Sequence, residues 1–338
     1  MERIQYDKRH LKVASLFCGA GGMDLGFLNA GFDIVWANDM NKYAVESYRE
    51  NIGDHVVEGD INDLIDEVPA HDVLLAGFPC QPFSMMGKQK GFEDDRGTLF
   101  FTIETIVKKH NTKVIVLENV KNLLTHDNGN TFKKMKEILE EKLGYSIHVS
   151  IMNTADYGVP QTRRRVFVIG FKNDYYGKDC IKFTFPEKME LNKTVQDILD
   201  IDVDKKYFLS EKVLKTVLAT GTKNYSAKPE INLSVARPLC ATMHKMHRAS
   251  QDNYYTDDLN REKFINNEKE ISNVRRLTPN ECRVLQGFPS DWKQVVSDTQ
   301  SYMQFGNAVT VEVAYYIAME IVKALDIKLK RKEEPINA

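Results

Sequence analysis

The chain reads as an α/β protein built on a doubly wound parallel sheet, and three observations lead there. Short apolar runs alternate with helical patterns through the first half of the chain. A glycine-rich turn follows the first run, and acidic residues stand at the ends of several runs. Such alternation packs helices on both faces of a parallel sheet and puts ligand sites at the carboxyl ends of its strands. A length of 338 residues fits one large domain or two smaller ones.

The first strand is Val13-Ala14-Ser15-Leu16-Phe17. It runs into Cys18-Gly19-Ala20-Gly21-Gly22 and then a helical pattern through Leu25, Phe27 and Leu28 to Gly31. A strand-to-helix turn rich in glycine lets backbone approach a ligand and points helix N–H groups at it. The spacing is not that of the dinucleotide fingerprint, because Asp24 stands where the third glycine would fall. The second strand, Asp33 to Asn38, ends at Asp39, where a carboxylate commonly grips ribose hydroxyls or caps the next helix. The third, Val56-Val57-Glu58, ends at Gly59-Asp60-Ile61, an acid followed by an apolar residue that suits a purine edge and face or a plain turn.

The fourth strand, Asp72 to Ala76, delivers Gly77-Phe78-Pro79-Cys80-Gln81-Pro82-Phe83-Ser84. Two prolines stiffen the backbone around one thiol, which suits a nucleophile as well as a packed cysteine. A loop from Ser84 to Arg96 with glycines suitable for a hinge follows, then a helix from about Arg96 with an apolar face through Ile103, Ile106 and Val107. The fifth strand, Val114 to Leu117, ends at Glu118-Asn119-Val120, and an acid at the end of a buried strand is costly unless paired or used. A helix from about Phe132 to Leu143, a sixth strand from Tyr145 to Ile151 and a seventh from Val166 to Gly170 complete the sheet. The glycine turn, Asp39, Asp60, Cys80 and Glu118 thus share one sheet edge, which points to a site rather than to separate structural roles.

Composition narrows the class. No apolar run approaches the ~20 residues needed to span a bilayer, and Met1 to Lys12 carry no signal-peptide pattern. Five scattered cysteines without a CxxC pair suggest neither a zinc site nor a disulfide framework, and fit a reducing, cytoplasmic setting. The net charge of -2 argues weakly against a nucleic-acid partner, but local distribution matters more, and Arg163-Arg164-Arg165, the stretch from Lys223 to Arg248 and Arg275-Arg276 are locally basic.

In order along the chain stand Phe17-Cys18-Gly19-Ala20-Gly21-Gly22, Gly77-Phe78-Pro79-Cys80-Gln81, Glu118-Asn119-Val120, Gln161-Thr162-Arg163-Arg164-Arg165 and Gln304-Phe305-Gly306-Asn307-Ala308-Val309. With these motifs the sequence resembles the cytosine-C5 DNA methyltransferases of bacterial restriction–modification type, over nearly the whole chain except roughly 172–270. The resemblance implies a Rossmann-like, S-adenosylmethionine-dependent catalytic domain and a smaller, irregular target-recognition domain. It implies that Phe17, Gly19, Ala20 and Gly22 line the cofactor, Asp39 holds its ribose, Met40 touches the adenine face, and Asp60 with Ile61 contacts adenine. Gly77, Pro79, Leu99, Asn307 and Ala308 would complete that pocket. Asp39-Met40 departs from the family's usual Glu-Trp, and the polarizable Met offers an apolar contact in place of ring stacking.

The chemistry implied by the resemblance starts with the Cys80 thiolate attacking C6 of cytosine, which makes C5 nucleophilic. Glu118, protonated, donates to N3; Arg165 contacts O2, with Arg163 and Gln161 supporting the site and the nearby phosphate. The target base must be flipped from duplex DNA into the pocket, with Gln81, Ser84 and the loop to Arg96 closing over it.

After Lys172 the regular alternation is lost. The expected organisation is a discontinuous catalytic domain, 1–177 and 301–338, around a recognition domain, 178–300. Within the latter, Arg237, Lys245 and Arg248 are candidates for guanine or phosphate contacts and Thr242 for a contact near the flipped base. His244 and His247 lack further ligands, so no metal is expected. Arg276-Leu277-Thr278 resembles the family element that orders the recognition domain, with Thr278 and Glu281 as a capping box. A final helix runs from about Val309 to Leu325. The expected partner is double-stranded DNA, with no membrane, a monomeric state, a bacterial or phage source, and a cognate restriction endonuclease that is not stably bound. Two alternatives are a tRNA methyltransferase on the same scaffold, disfavoured because Ile181-Lys182-Phe183-Thr184 is the nearest text to that group's Cys-Phe-Thr signature, and a DNA-binding module without catalysis, disfavoured by Cys80, Glu118 and Arg165.

Overall fold

The computed structural model describes residues 11–79, 99–222, 225–226, 228–256 and 273–325. The chain forms two compact units, one of Met1–Met152, Arg164–Glu187 and Val311–Ala338, the other of Asn153–Arg163 and Lys188–Thr310.

The first unit is organised on a seven-stranded sheet: β1 (Lys12–Leu16), β2 (Asp33–Asp39), β3 (Val56–Glu58), β4 (Val73–Gly77), β5 (Val114–Val120), β6 (Tyr145–Asn153) and β7 (Arg164–Lys172), in the order β3-β2-β1-β4-β5-β7-β6. The central strands read as continuous apolar runs because both faces are covered: Val73, Leu74, Leu75 and Ala76 are all fully buried. Each buried Val or Leu side chain among them contributes about 1.5–3 kcal/mol relative to exposure. Helices α1 (Gly22–Asn29), α2 (Lys42–Asn51), α3 (Leu99–His110), α4 (Asn130–Glu137) and the short α5 (Asn173–Tyr176) lie between or after strands. Asn41 caps α2, its side chain accepting from the backbone of Tyr43 at 3.0 Å and Ala44 at 3.2 Å. The helix expected from Phe132 to Leu143 begins earlier, at Asn130, and its last turn widens to a π-turn at Ile138–Lys142.

One expectation about the sheet is corrected. Strands β1 to β5 pair in parallel, but β7 runs antiparallel to β5, with Val114 opposite Phe171 and Val120 opposite Arg165. The link from β6 to β7 carries only a 3-10 turn, Thr154–Tyr157. A return of that length has no room for the helical crossover that parallel pairing requires.

In the second unit, β8 (Gly221–Thr222) pairs with β9 (Tyr225–Ser226) and β10 (Tyr254–Thr256) with β11 (Val274–Arg276), both antiparallel. Helices α6 (Glu211–Val217), α7 (Pro279–Leu285) and α8 (Asp298–Asn307) accompany them, and Leu209, Val217, Ala249, Tyr254 and Val274 form a small core. Thr278 and Glu281 make the expected capping box at α7, with Pro279 at its first position. Glu281 is also the buried partner of Arg275, whose Nη1 and Nη2 lie 2.8 and 2.7 Å from its two carboxylate oxygens.

The last helix, α9 (Val311–Ala324), starts two residues after the expected Val309 and packs on α1 in the first unit. Gly26 allows that approach, since a Cβ there would lie 2.5 Å from Ala314 Cβ and 2.6 Å from Tyr315 N. The stretch Asp298–Ala324 is long and apolar enough to cross a membrane, yet 61% of its most apolar window is buried within the protein.

Candidate active site

The carboxyl ends of β1 to β5 share one edge of the sheet, and the site is built there. After β1 the backbone turns left-handed at Phe17 (φ 56°), Gly19 (φ 56°) and Gly21 (φ 88°). A bulky residue with positive φ is rare and marks a turn held by its surroundings. A Cβ on Gly19 would meet no atom within 4 Å, so its glycine answers to backbone angle and leaves open space beside the turn. Gly21 is required by packing, because a Cβ would lie 2.2 Å from Ile52 and 2.9 Å from the Tyr48 ring. Ala20 and Gly22 are buried beneath.

Asp39, at the end of β2, accepts the Gly19 N–H at 2.8 Å through Oδ2 and the Asn41 N–H at 2.8 Å through Oδ1. Burial pushes its carboxyl above the ordinary value, against these two bonds. Each carboxylate oxygen accepts more than one bond, so capacity for sugar hydroxyls remains. Met40 beside it is 74% exposed, an apolar surface with no protein cover. Asp60 is exposed with Oδ1 bound to Asn62 N and Nδ2, both at 2.9 Å. The Ile61 side chain packs in the sheet core, which leaves only its backbone to a ligand. The open turn, the ribose-sized acceptor and the apolar Met40 fit an adenosine-containing cofactor.

Strand β4 ends at Gly77, opposite Glu118 of β5. A Cβ on Gly77 would lie 3.6 Å from Glu118 Oε2 and 3.9 Å from the Phe17 carbonyl, so turn, strand end and acid converge. Arg165 Nε lies 3.0 Å from Glu118 Oε1. The two side chains meet because Glu118 pairs with Phe167 and Val120 with Arg165, a diagonal on one face of an antiparallel ladder. Asn119, given no role from sequence, donates from Nδ2 to the Phe78 carbonyl at 2.9 Å and so ties β5 to the chain just before Pro79. An amide beside the acid of a strand end was the signal for it. Asn38 is a second such residue: its Nδ2 donates to the carbonyls of Val57 at 3.1 Å and Gly59 at 2.9 Å, fixing the turn that presents Asp60. Cys80, Gln81 and Ser84 lie outside the described residues; Pro79 is exposed and Leu99 half-buried.

The second unit bears on four residues singled out from sequence. Arg163 is 1% exposed and donates to the carbonyls of Leu239 (2.8 Å), Gly306 (3.0 Å), Asn307 (3.3 Å) and Ala308 (2.8 Å). A guanidinium engaged in this way is a clamp on the backbone, not a group that touches a base. Gln161 is fully buried, donating to the Leu285 carbonyl at 2.8 Å and accepting the Leu239 N–H at 3.0 Å, so it is no DNA contact. Arg276 lies over the rings of Tyr207 (5.6 Å) and Tyr302 (5.1 Å), held by cation–π attraction inside the unit. Arg237 is half-buried and paired with Glu230 at 3.0 Å. Thr242 and Lys245 are exposed and Arg248 half-buried, on a stretch where His247 Nε2 meets Thr242 Oγ1 at 3.1 Å and His244 Nδ1 meets the Ala241 carbonyl at 3.1 Å. Asn307 is exposed and Ala308 buried at the end of α8.

The model of the C-5 cytosine-specific DNA methylase family matches residues 11–323. Type II methyltransferase M.HhaI of Haemophilus parahaemolyticus is 38% identical over 335 residues, covering 94% of this chain and 96% of its own. Type II methyltransferase M.HaeII of Haemophilus aegyptius is 37% identical over 332 residues, covering 97% and 98%. Among solved structures, a DNMT2 variant of Spodoptera frugiperda superposes with a TM-score of 0.71 at 22% identity, over 94% of this chain and all of that one. The Dnmt2 methyltransferase of S. pombe does so with a TM-score of 0.71 at 21% identity over 94% of this chain. At such identities these two likenesses speak for the fold.

Proposed function

The chain belongs to the C-5 cytosine-specific DNA methylase family, and from that premise we propose that it methylates C5 of a cytosine flipped out of duplex DNA at a specific sequence, with S-adenosylmethionine as methyl donor. The observation that carries this reading is the Glu118–Arg165 pair beside Gly77 at the strand edge that also bears the glycine turn.

S-adenosylmethionine supplies a methyl carbon made electrophilic by its sulfonium. Asp39 would hold its ribose hydroxyls, Asp60 and the Ile61 backbone would meet adenine, Met40 would give an apolar contact to the adenine face, and Phe17 would line the pocket at the glycine turn. Cys80, as thiolate, forms a bond to cytosine C6, and the displaced ring electrons make C5 nucleophilic. Glu118 delivers a proton to N3 as charge gathers there, and Arg165 holds O2. Glu118 Oε2 lies on the Gly77 side of the pair, at the strand edge where the base would enter. Once C5 has taken the methyl group, a water takes the C5 proton, N3 returns its proton to Glu118, and the electrons of the broken C5–H bond re-form the C5–C6 double bond and expel Cys80 as thiolate. The exposed Thr242 and Lys245 with Arg248 contact the duplex. The enzyme acts as a cytoplasmic monomer that protects DNA from a cognate endonuclease it does not stably bind.

The test is transfer of label from methyl-labelled S-adenosylmethionine to duplex DNA or tRNA, with wild type and Cys80→Ser. Label on duplex DNA, lost in Cys80→Ser with cofactor binding retained, is the expected result. Label on tRNA alone, or turnover near the wild-type rate in Cys80→Ser, would sink the reading.

A further inference from the structure

Beneath the glycine turn lies a carboxylate that the reaction does not use. Asp24 stands in the first turn of α1 and is fully buried. Its Oδ1 accepts a 2.6 Å bond from the Ser15 hydroxyl of β1, and its Oδ2 a 2.7 Å bond from the Tyr48 hydroxyl of α2. The Tyr48 oxygen lies 3.0 Å from His55 Nε2. A phenol has one proton, and this one is directed at Asp24, so His55 Nε2 donates to the Tyr48 oxygen. His55 is half-buried, and the chain of bonds therefore runs from near the surface to the buried acid. Tyr48 is also the ring on which the turn rests, at Gly21. The residue that relays the proton is thus the one that supports the turn.

The groups around the relay come from every neighbouring element. Cys18 and Asp39 flank the turn, and burial together with Asp24 and Asp39 pushes the Cys18 thiol well up. Asp33 and Asp54 act on His55, and Arg49 lies 3.5 Å from Asp54. Helix α9 packs on α1 at Gly26, two residues and about 200° around the helix from Asp24, and its charged residues are Glu312, Glu320 and Lys323.

We propose that Ser15, Asp24, Tyr48 and His55 form a proton-linked positioning relay that sets how tightly the glycine turn holds a nucleoside sulfonium cofactor. The proposal rests on the reading that this turn binds S-adenosylmethionine. With Asp24 charged, Ser15 and Tyr48 both donate to it, and β1, α1 and α2 are tied together under the turn. A proton on Asp24 reverses one of the two bonds, Asp24 donating to the Tyr48 oxygen while the Tyr48 proton turns to His55 Nε2 in its other tautomer, and charge-assisted bonds give way to weaker neutral ones, so the turn is held less tightly. Burial pushes the Asp24 carboxyl up to about 6, against the bonds from Ser15 and Tyr48, and burial also pushes His55 down. Affinity is accordingly full above neutrality and falls on acidification.

Calorimetric titration of the full chain with S-adenosylhomocysteine at pH 5.5, 6.5 and 7.5 reads this directly. Binding about fourfold weaker at pH 5.5 than at 7.5 is expected, the ratio set by a group titrating near 6 whose charged form alone supports binding. Asp24→Asn, which cannot ionise, flattens the profile, and Tyr48→Phe weakens binding at pH 7.5. In wild type near pH 6, binding releases protons, so the measured heat differs between phosphate and imidazole buffers. Equal affinities across the range, an unaltered pH slope in Asp24→Asn, or equal heats in the two buffers would each overturn the relay while leaving cofactor binding standing. Absence of binding at every pH would overturn the cofactor reading and the relay with it.

Discussion

Arg163 and Arg165 should fail in different ways when replaced by lysine, and Arg163 is the informative one. Its guanidinium reaches four backbone carbonyls from two separate stretches, Leu239 and Gly306 to Ala308, in a place with almost no solvent. A lysine keeps the charge but brings a single nitrogen, which cannot span both stretches. At least two charge-assisted bonds are lost, at about 1.5 kcal/mol each, for a total near 3 kcal/mol. At 2–4 °C per kcal/mol this lowers Tm by roughly 6–12 °C. Arg165→Lys should behave in the opposite sense. Its partner Glu118 keeps a cation nearby, so the melting point moves little, while methyl transfer falls by about 100-fold because a preorganised donor is missing. Thermal melting and single-turnover rates of the two variants make the comparison. Arg163→Lys melting within a degree of wild type while losing activity would refute the clamp and return Arg163 to the substrate.

Two further substitutions probe the second unit. Arg275→Met leaves Glu281 as an uncompensated buried charge and should cost about 3–5 kcal/mol in denaturant unfolding, well above the ~1 kcal/mol expected for Thr278→Ala at the same helix cap. Equal losses would show that the ion pair adds nothing beyond the cap. Gly306→Ala places a Cβ 2.3 Å from Cys240 C and Ala241 N, so backbone must move; lower stability and weaker duplex binding are expected, and a wild-type binding curve in gel-shift titration would exclude that effect.

The strands and the acids at their ends were legible because fully buried strands are written as unbroken apolar runs and polar residues at their tips stand out. β5 was read three residues short. Glu118 and Asn119 look like a strand stop, yet the ladder continues because Asn119 is satisfied by the Phe78 carbonyl and Val120 pairs with Arg165. The fates of the arginines were not legible. Arg163, Arg164 and Arg165 are chemically identical letters, and a cluster of them reads as surface. Burying the first depends on carbonyls 76 to 145 residues away converging on one point, which no local pattern encodes. The Ser15–Asp24–Tyr48–His55 chain was hidden for the same reason: Asp24 registered only as the missing third glycine of a fingerprint.

Strand direction is the deeper case, since periodicity reports which faces are buried and says nothing about which way a strand runs. Had β7 been parallel, its start would stand at the amino ends of β1 to β5, and Arg165 would lie a strand's length from Glu118. The antiparallel return places the start of β7 at the carboxyl edge, opposite Val120. Direction here follows from the link, which is too short for a crossover helix and which also carries Gln161 and Arg163. That link therefore has two duties along eleven residues: its buried amide and guanidinium brace the second unit from within, and its brevity turns the chain so that the next arginine but one meets Glu118. Lengthening it by a flexible insert after Gly158 separates the duties. If β7 holds its register through pairing with β5, the Arg165–Glu118 geometry and the fold of the sheet survive while the clamp residues lose their anchorage, so stability of the second unit should fall further than single-turnover chemistry on bound substrate. Loss of chemistry with an unchanged melt would instead mean that the link, rather than the ladder, sets the position of Arg165.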